Sequence, residues 1–177
     1  MKMVSTMKYL ISVIGLSLIF QSLAFANEKG MVQFKDLSDV YGEPKIEVNL
    51  NAMLMGMMGS IAQHSDPVAA DVLKKLQQIS VRVYQMDGNS KSALESVKSI
   101  TKKIRKDNWQ PIVNVNEENE QIKIFSKMTG DKIDGVVVMA VNNEGAGGEA
   151  IFINIVGDID PQNISKVTDS LNIDLGQ

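Results

Sequence analysis

Methionines crowd one short stretch of this sequence, and the only histidine of the chain follows closely behind. Met53, Met55, Met57 and Met58 lie within six residues, and His64 comes soon after them. Thioether and imidazole groups are ligands that suit Cu(I). The Met53–Met58 segment therefore suggests a Cu(I)-binding protein as one hypothesis for function.

Helical geometry limits this copper hypothesis. If residues 52–63 form a helix, Met53, Met57 and His64 project from one face, but Met57 and His64 lie about 10 Å apart along its axis. The helix then offers the pair Met53 and Met57, and His64 can join them only if the helix breaks. We interpret the methionines mainly as core residues that fill irregular gaps. An exposed, Met-rich partner surface is the third interpretation.

Other residues with the types and spacing that catalysis needs are scarce. The sequence has no Cys, a single His and no G-x-S-x-G motif, so hydrolysis through a Ser or Cys nucleophile lacks its components. The acidic turn at residues 117–120 lacks the spacing and the glycine of a calcium loop. We therefore predict a protein that is not an enzyme and that needs no cofactor.

The N-terminus has the three-part pattern of a Sec-type signal peptide. Met7-Lys8 is a short basic start, residues 9–20 are apolar or small, and Ala24-Phe25-Ala26 is a cleavage signal. The apolar run is shorter than the ~20 residues that a membrane span needs. We predict a cleaved signal peptide over residues 1–26 and a single domain over residues 27–177. The predicted location is periplasmic or secreted, with no stable membrane span.

The charge of the chain argues against nucleic acid as a partner. Loss of Lys2 and Lys8 with the signal peptide lowers the formal net charge from −3 to −5, whereas nucleic acid needs clustered positive charge. One positive cluster exists on a predicted helix, at Lys98, Lys102, Lys103, Arg105 and Lys106. Because positive residues are favoured near the C-terminal end of a helix, we interpret this cluster as a solvated helix face in preference to an anion site.

Helical and alternating patterns follow one another in the first half of the domain. Alternation of Ile46, Val48 and Leu50 with polar residues predicts a strand, and Asn51 can cap a short helix after it. Asp66-Pro67 predicts the start of a second helix whose apolar stripe reaches Ile79. A strand is predicted at residues 79–86. A longer helix then begins at a capping box at position 92, or alternatively at 89 or 90.

Four strands with short turns are predicted between Pro111 and Gly157. Asp160-Pro161 then opens a final helix with Ile164, Val167 and Leu171 on one side. Short connections favour antiparallel neighbours. The predicted fold is α+β, with a largely antiparallel sheet of about six strands that ends in a four-strand meander, and with helices packed mainly on one face.

Two strands of this meander are apolar on both faces. Residues 136, 138 and 140 alternate with residues 137, 139 and 141, and all six are apolar. The second face is either covered by the rest of the chain or left open for a partner. The leading hypothesis is a non-enzymatic exported domain that binds another envelope component, a protein in preference to a small molecule, through an apolar surface or groove. A carrier of an apolar ligand is an alternative. The predicted interaction residues are Val137, Met139, Val141 and Phe152.

Several segments together are similar to a known family. They are Phe34-x-x-Leu37, the Met/Leu-rich helix start at Ala52-Met53-Leu54, and the closing residues 156–160 (VGDID) with Ile164. This pattern resembles the domain-of-unknown-function (DUF) family 4252, small exported proteins of Gram-negative bacteria. The resemblance covers essentially all of residues 27–177. It implies a single exported domain and brings no activity, substrate or catalytic residues.

Overall fold

The computed structural model describes residues 29–34, 37–86, 90–142 and 147–160 of the protein. The helices of this part are α1 (Leu37–Tyr41), α2 (Ala52–Ala62), α3 (Pro67–Lys75) and α4 (Ser90–Lys106). The strands are β1 (Ile46–Asn51), β2 (Leu76–Met86), β3 (Gln110–Asn116), β4 (Glu120–Thr129), β5 (Lys132–Asn142) and β6 (Gly148–Ile159). The predicted signal peptide and the predicted helix from Pro161 lie outside the described residues.

All six strands form one antiparallel sheet in the order β1-β2-β6-β5-β4-β3. Strands β3 to β6 are neighbours in sequence and in space, so they form the predicted meander. The pair β1–β2 joins that meander beside β6. The α+β fold with a six-stranded antiparallel sheet is therefore confirmed, and β6, the last strand of the described residues, lies between β2 and β5 in the interior of the sheet.

Side-chain caps begin the two helices that connect β1 to β2. The side-chain oxygen of Asn51 accepts a hydrogen bond from the Leu54 amide at 3.0 Å. Asp66 Oδ1 accepts one from the Ala69 amide at 2.9 Å, and Pro67 occupies the first position of α3. Each cap satisfies an amide that has no partner inside the helix. Both caps were predicted from the sequence.

One predicted element boundary is wrong, and another is decided between the alternatives. Helix α3 ends at Lys75 instead of reaching Ile79, because β2 already begins at Leu76 and pairs with β6 from that residue. Leu76 and Ile79 fit a helical stripe and a strand equally well, and only the pairing partner decides between them. Helix α4 begins at Ser90, one of the two alternatives, and not at position 92. The short helix α1 was not predicted.

One face of the sheet carries the hydrophobic core. The apolar residues of α4 recur at helical spacing, so Val97 and Ile104 form one stripe against the sheet. Phe34 and Leu37 come from the segment around the start of α1, and the Phe34 ring lies 5.5 Å from that of Phe152, centroid to centroid. The strands contribute Tyr84, Met86, Phe125, Val137, Met139, Val141, Ala150 and Phe152. We call this side of the sheet the core face.

A buried asparagine on β6 holds the N-terminal segment against the core face. Asn154 Oδ1 accepts a hydrogen bond from the Val32 amide at 2.8 Å, and its Nδ2 donates to the carbonyls of Gly30 (3.0 Å) and Val136 (3.1 Å). The backbone of Gly30, with φ 88°, passes so close to Gly135 that a Cβ on Gly135 would lie 2.6 Å from the Gly30 Cα. Only glycine permits this approach. We call this arrangement the N-terminal clamp.

Candidate interaction surface

The structure places the four predicted interaction residues inside the protein. Val137, Met139 and Phe152 are fully buried, and Val141 is 1% exposed. All four belong to the core beneath α4 and the segment around α1. The face of β5 and β6 that carries these residues is therefore covered by the protein itself. The side chains that we predict to bind a partner are not accessible at the surface. The candidate interaction surface is instead the opposite face of the sheet.

Strand register aligns the opposite face into rows that cross the entire sheet. Residues that pair directly across neighbouring strands project from the same face. The first row is Ile46, Val83, Ile151, Ala140, Ile122 and Val115. The second row is Val48, Val81, Ile153, Val138, Ile124 and Val113. The third row is Leu50, Ile79, Ile155, Val136, Ser126 and Gln110. We call these three rows the open face.

The open face is aliphatic from one edge of the sheet to the other. Every residue of the first two rows is aliphatic, and the third row departs from this only at Ser126 and Gln110. The core face behaves differently, because at its edges β1 and β3 present polar residues such as Glu47 and Asn114. The sequence pattern of a buried surface therefore extends further on the open face than on the core face.

Burial separates the two faces clearly. Among the aliphatic residues of the open face, Val83 and Val136 are buried, and the others are half-buried or exposed. Ile46 and Val48 on the edge strand are 47% and 36% exposed. Three rows on six strands measure roughly 20 Å by 29 Å, or about 600 Å², from the standard strand spacing and rise. This area lies at the upper end of the largest apolar patches on monomeric proteins.

A polar row borders the open face at the end where β5 turns into β6. Register aligns Gln85, Glu149, Asn142 and Glu120 beside the first row. The Glu149 carboxylate forms an ion pair with Lys45, whose Nζ lies 2.9 Å from Oε1. An apolar centre with a polar rim is the usual composition of a protein–protein contact surface.

Helix α2 adds apolar surface near the third row, since it begins directly after β1. Met55 is fully buried and Gly59 packs against α3, where a Cβ would lie 3.0 Å from the Ala70 carbonyl. The rest of the helix is open: Met53, Leu54, Met57, Met58 and Ile61 are 71%, 39%, 57%, 44% and 77% exposed. Our interpretation of the methionines as core residues is therefore correct for Met55 and wrong for the other three. Their exposure agrees with the third interpretation of the methionines, an exposed Met-rich surface for a partner.

The copper ligands suggested by the sequence occupy two different elements. Met53 and Met57 are one turn apart on α2 and exposed, whereas His64 lies in the turn that follows the end of α2 at Ala62. His64 is also exposed.

Within the described residues, no group of three or more His, Cys, Asp or Glu side chains is arranged to hold a metal ion. None of the described helices is long and apolar enough to cross a membrane.

A family model matches residues 39–167 of the chain, and its description is "Domain of unknown function (DUF4252)". The match spans more than half of the sequence. The chain belongs to the DUF4252 family. No curated protein matches the sequence significantly. The matched range runs from α1 past the end of β6, so every strand of the open face is part of the DUF4252 domain. The description of the family names no activity.

Proposed function

We propose that this DUF4252 domain is a non-enzymatic exported protein that binds another envelope protein through the open face. The observation that carries the proposal is the pair of aliphatic rows on the side of the sheet that keeps its residues half-buried or exposed. An antiparallel sheet with one solvated face normally carries polar residues on that face. An uninterrupted aliphatic face suggests instead that it is covered by another surface when the protein functions.

The shape of the open face favours a protein over a small apolar ligand. Small ligands prefer concave pockets that enclose most of their surface. Two pockets of the described residues are lined by polar and charged side chains: one lies at α4, and the other lies at the β3–β4 turn, beside the polar row that borders the open face. The extended face, at about 600 Å², approaches the roughly 800 Å² that each partner contributes to a standard protein interface. The exposed side of α2 would supply further area.

The proposed location rests on the signal peptide pattern and agrees with the N-terminal clamp. Gly30 and Val32 hydrogen-bond to Asn154, and both residues follow the predicted cleavage after Ala26. A mature chain cut at that position would retain the whole clamp. The non-enzymatic role is proposed because the sequence has no Cys and one His, and because that His is exposed at the end of α2.

Site-specific photocrosslinking in cells tests this proposal. Ile153 and Val138 are Cα partners at the centre of the open face. A photoreactive residue at Ile153 should form a heavier covalent product in the periplasm. Adding Val138→Lys should reduce that product at least about tenfold, because a lysine beside the probe would be desolvated in the interface without a partner. Ile112→Lys is the matched control, since Ile112 is aliphatic, 54% exposed and outside the three rows.

The stability of the purified Val138→Lys variant shows whether the chain covers its own open face. A lysine on an accessible face keeps its charge in water, so the free energy of unfolding should change by less than about 1 kcal/mol. A loss above about 3 kcal/mol, together with no crosslinked product, would mean that the protein itself buries this face and would overturn the proposal. A product that contains only two copies of this chain would replace the foreign partner with self-association. A native mass spectrum with a bound lipid displaced by Val138→Lys would favour the apolar-ligand alternative.

A second candidate function is Cu(I) binding by α2, which the exposure of Met53 and Met57 one turn apart supports. A reductant-maintained Cu(I) titration should show binding that is lost in Met53→Leu/Met57→Leu. Met58→Leu is the matched control, because Met58 is exposed on another side of the same helix. His64→Ala shows whether the histidine contributes. Affinity no tighter than that of free methionine would end this hypothesis.

A further inference from the structure

A basic groove lies between α4 and β4, away from the open face. Its volume is about 450 Å³. On α4, the residues at positions 98, 102 and 105 follow the spacing of a single helical face. Strand β4 contributes a lysine from the sheet, which the sequence alone did not place beside the helix. The lining residues are Lys98, Thr101, Lys102, Arg105, Lys106 and Lys123.

Among the described residues, no carboxylate lies within ion-pair distance of the positive charges of this groove. The ion pairs in the described part of the chain join Lys45 to Glu149, Arg82 to Glu47 and Lys132 to Asp158, and none of these residues lines the groove. Five cationic side chains and no acidic one surround the same space. Such a site has a strongly positive local potential, which is uncommon on a chain with a net charge of −3.

Lys123 is the best positioned of these cations. Its Nζ donates hydrogen bonds to Asn114 Oδ1 at 2.7 Å and to Asn116 Oδ1 at 3.3 Å. These amide partners on β3 orient the ammonium group without neutralising it. Burial lowers the pKa of Lys123, and the positive charges of Arg105 and Lys98 lower it further. The cations therefore repel one another in the free protein, and a bound anion would relieve that repulsion.

Thr101 adds a hydrogen-bonding group that the fold does not use. Its hydroxyl oxygen is buried and has no hydrogen-bond partner, and the residue lines the groove between the lysines of α4. Buried hydroxyl groups in folded proteins almost always have a partner. Rotation of the Thr101 side chain would turn this hydroxyl toward the groove, where a ligand oxygen would supply a partner.

We propose that this groove binds a compact phosphate-bearing anion with two or more negative charges. Several Lys ammonium groups and an Arg guanidinium match the charge and the multiple oxygens of a phosphate better than those of a single carboxylate. A compact ligand touches only the groove, whereas a nucleic acid strand would extend over the acidic remainder of the surface. The phosphate belongs either to a soluble phosphate ester or to a lipid headgroup.

Calorimetric titration of the full mature protein with pyrophosphate at low salt tests the groove. We expect Arg105→Gln/Lys123→Gln to weaken binding at least about tenfold, since each lost contact is a charge-assisted hydrogen bond. Lys103→Gln is the matched control, because Lys103 is exposed on the same helix and does not line the groove. Its effect should stay below about twofold. Thermal melts show whether the double variant is folded. Because the substitutions remove repulsion among the groove cations, the double variant should be at least as stable as the original protein.

The Thr101→Val variant distinguishes a specific anion site from non-specific attraction of anions by the positive charge. Valine keeps the shape and the charge of the groove and removes only the hydroxyl, so a ligand that uses this group should bind several-fold more weakly. Three results would each overturn the proposal. They are equal losses of affinity in Lys103→Gln and in the double variant, an unchanged affinity in Thr101→Val, and no binding of pyrophosphate at millimolar concentration.

Vesicle flotation distinguishes the two sources of phosphate. Vesicles that contain phosphatidic acid expose a phosphomonoester, and vesicles of phosphatidylcholine alone serve as the reference. Binding to the former that pyrophosphate displaces would identify a headgroup site. Pyrophosphate binding without flotation would identify a soluble ligand. Flotation that pyrophosphate does not displace, or that survives in the double variant, would place membrane binding outside the groove and contradict the proposal.

Discussion

Replacing Asn154 should release the N-terminal segment from the sheet. In Asn154→Ala the Val32 amide and the carbonyls of Gly30 and Val136 lose the hydrogen bonds that they make with Asn154. Each unsatisfied buried group costs about 1–3 kcal/mol, and partial release of the segment into water would limit the total. We expect a loss of about 3–5 kcal/mol in the free energy of unfolding. With a denaturant dependence of about 2 kcal/mol per molar urea, the unfolding midpoint falls by roughly 1.5–2.5 M.

Asn154→Asp turns the same clamp into a pH-dependent one. One carboxylate oxygen can still accept from Val32, but the other faces the carbonyls of Gly30 and Val136, where the wild-type amide donates. The buried, repelled carboxylate should have a pKa above its unfolded value of about 3.9. The folded variant then holds a proton that the unfolded chain has lost. Stability should therefore fall as the pH rises from about 4 to 7.

Urea unfolding at pH 4 and pH 7, with hydrogen exchange at the Val32 amide, measures both effects. Asn114→Ala is the matched control, because Asn114 is exposed on the edge strand and accepts from a lysine. It should cost less than about 1 kcal/mol. The clamp would be refuted by a loss below about 1 kcal/mol in Asn154→Ala, or by an Asn154→Asp variant whose stability does not change with pH.

Two further predictions concern other parts of the core. Gly135→Ala should cost at least about 2 kcal/mol in a urea titration, because the new Cβ meets the Gly30 backbone, and Gly147→Ala, which has open space around it, should be nearly neutral. Tyr41 is partly buried, and this burial raises its pKa to about 12. Since unfolded tyrosine ionises near pH 10, stability should fall as the pH rises above about 10. A spectroscopic titration that detects Tyr41 ionising near pH 10 in the folded state would contradict this.

The sequence predicted the order of the main strands and helices well because their signals are local. Alternation in β1 and the caps at Asn51 and Asp66 depend only on neighbours along the chain. The α3–β2 boundary was wrong because Leu76 satisfies both periodicities. Which face of β5 and β6 is buried was also wrong, since Val137 and Val138 are equally apolar. The docking of α4 makes that choice, and it is a contact between residues far apart in sequence.

The candidate sites show the same limit. Each row of the open face needs the register of six strands before its members can be seen as neighbours. The α4 cations were recognised from the sequence, but Lys123 joined them only once β4 was placed beside the helix. The exposure of Met57 and Met58 could not be predicted either, because an apolar helix is more often buried. A cluster of glycine and methionine alone did not indicate that the helix would be open on most sides.

The position of β6 also has a consequence for how the protein is made. Strand β6, the last strand of the described residues, is an interior strand, so before it leaves the ribosome β1–β2 and β3–β5 have no shared partner. Until then β2 and β5 each present an unpaired edge, which is prone to wrong pairing. Ribosome-bound chains that end before residue 148 should therefore remain sensitive to protease, whereas chains extended well past residue 160 should resist it.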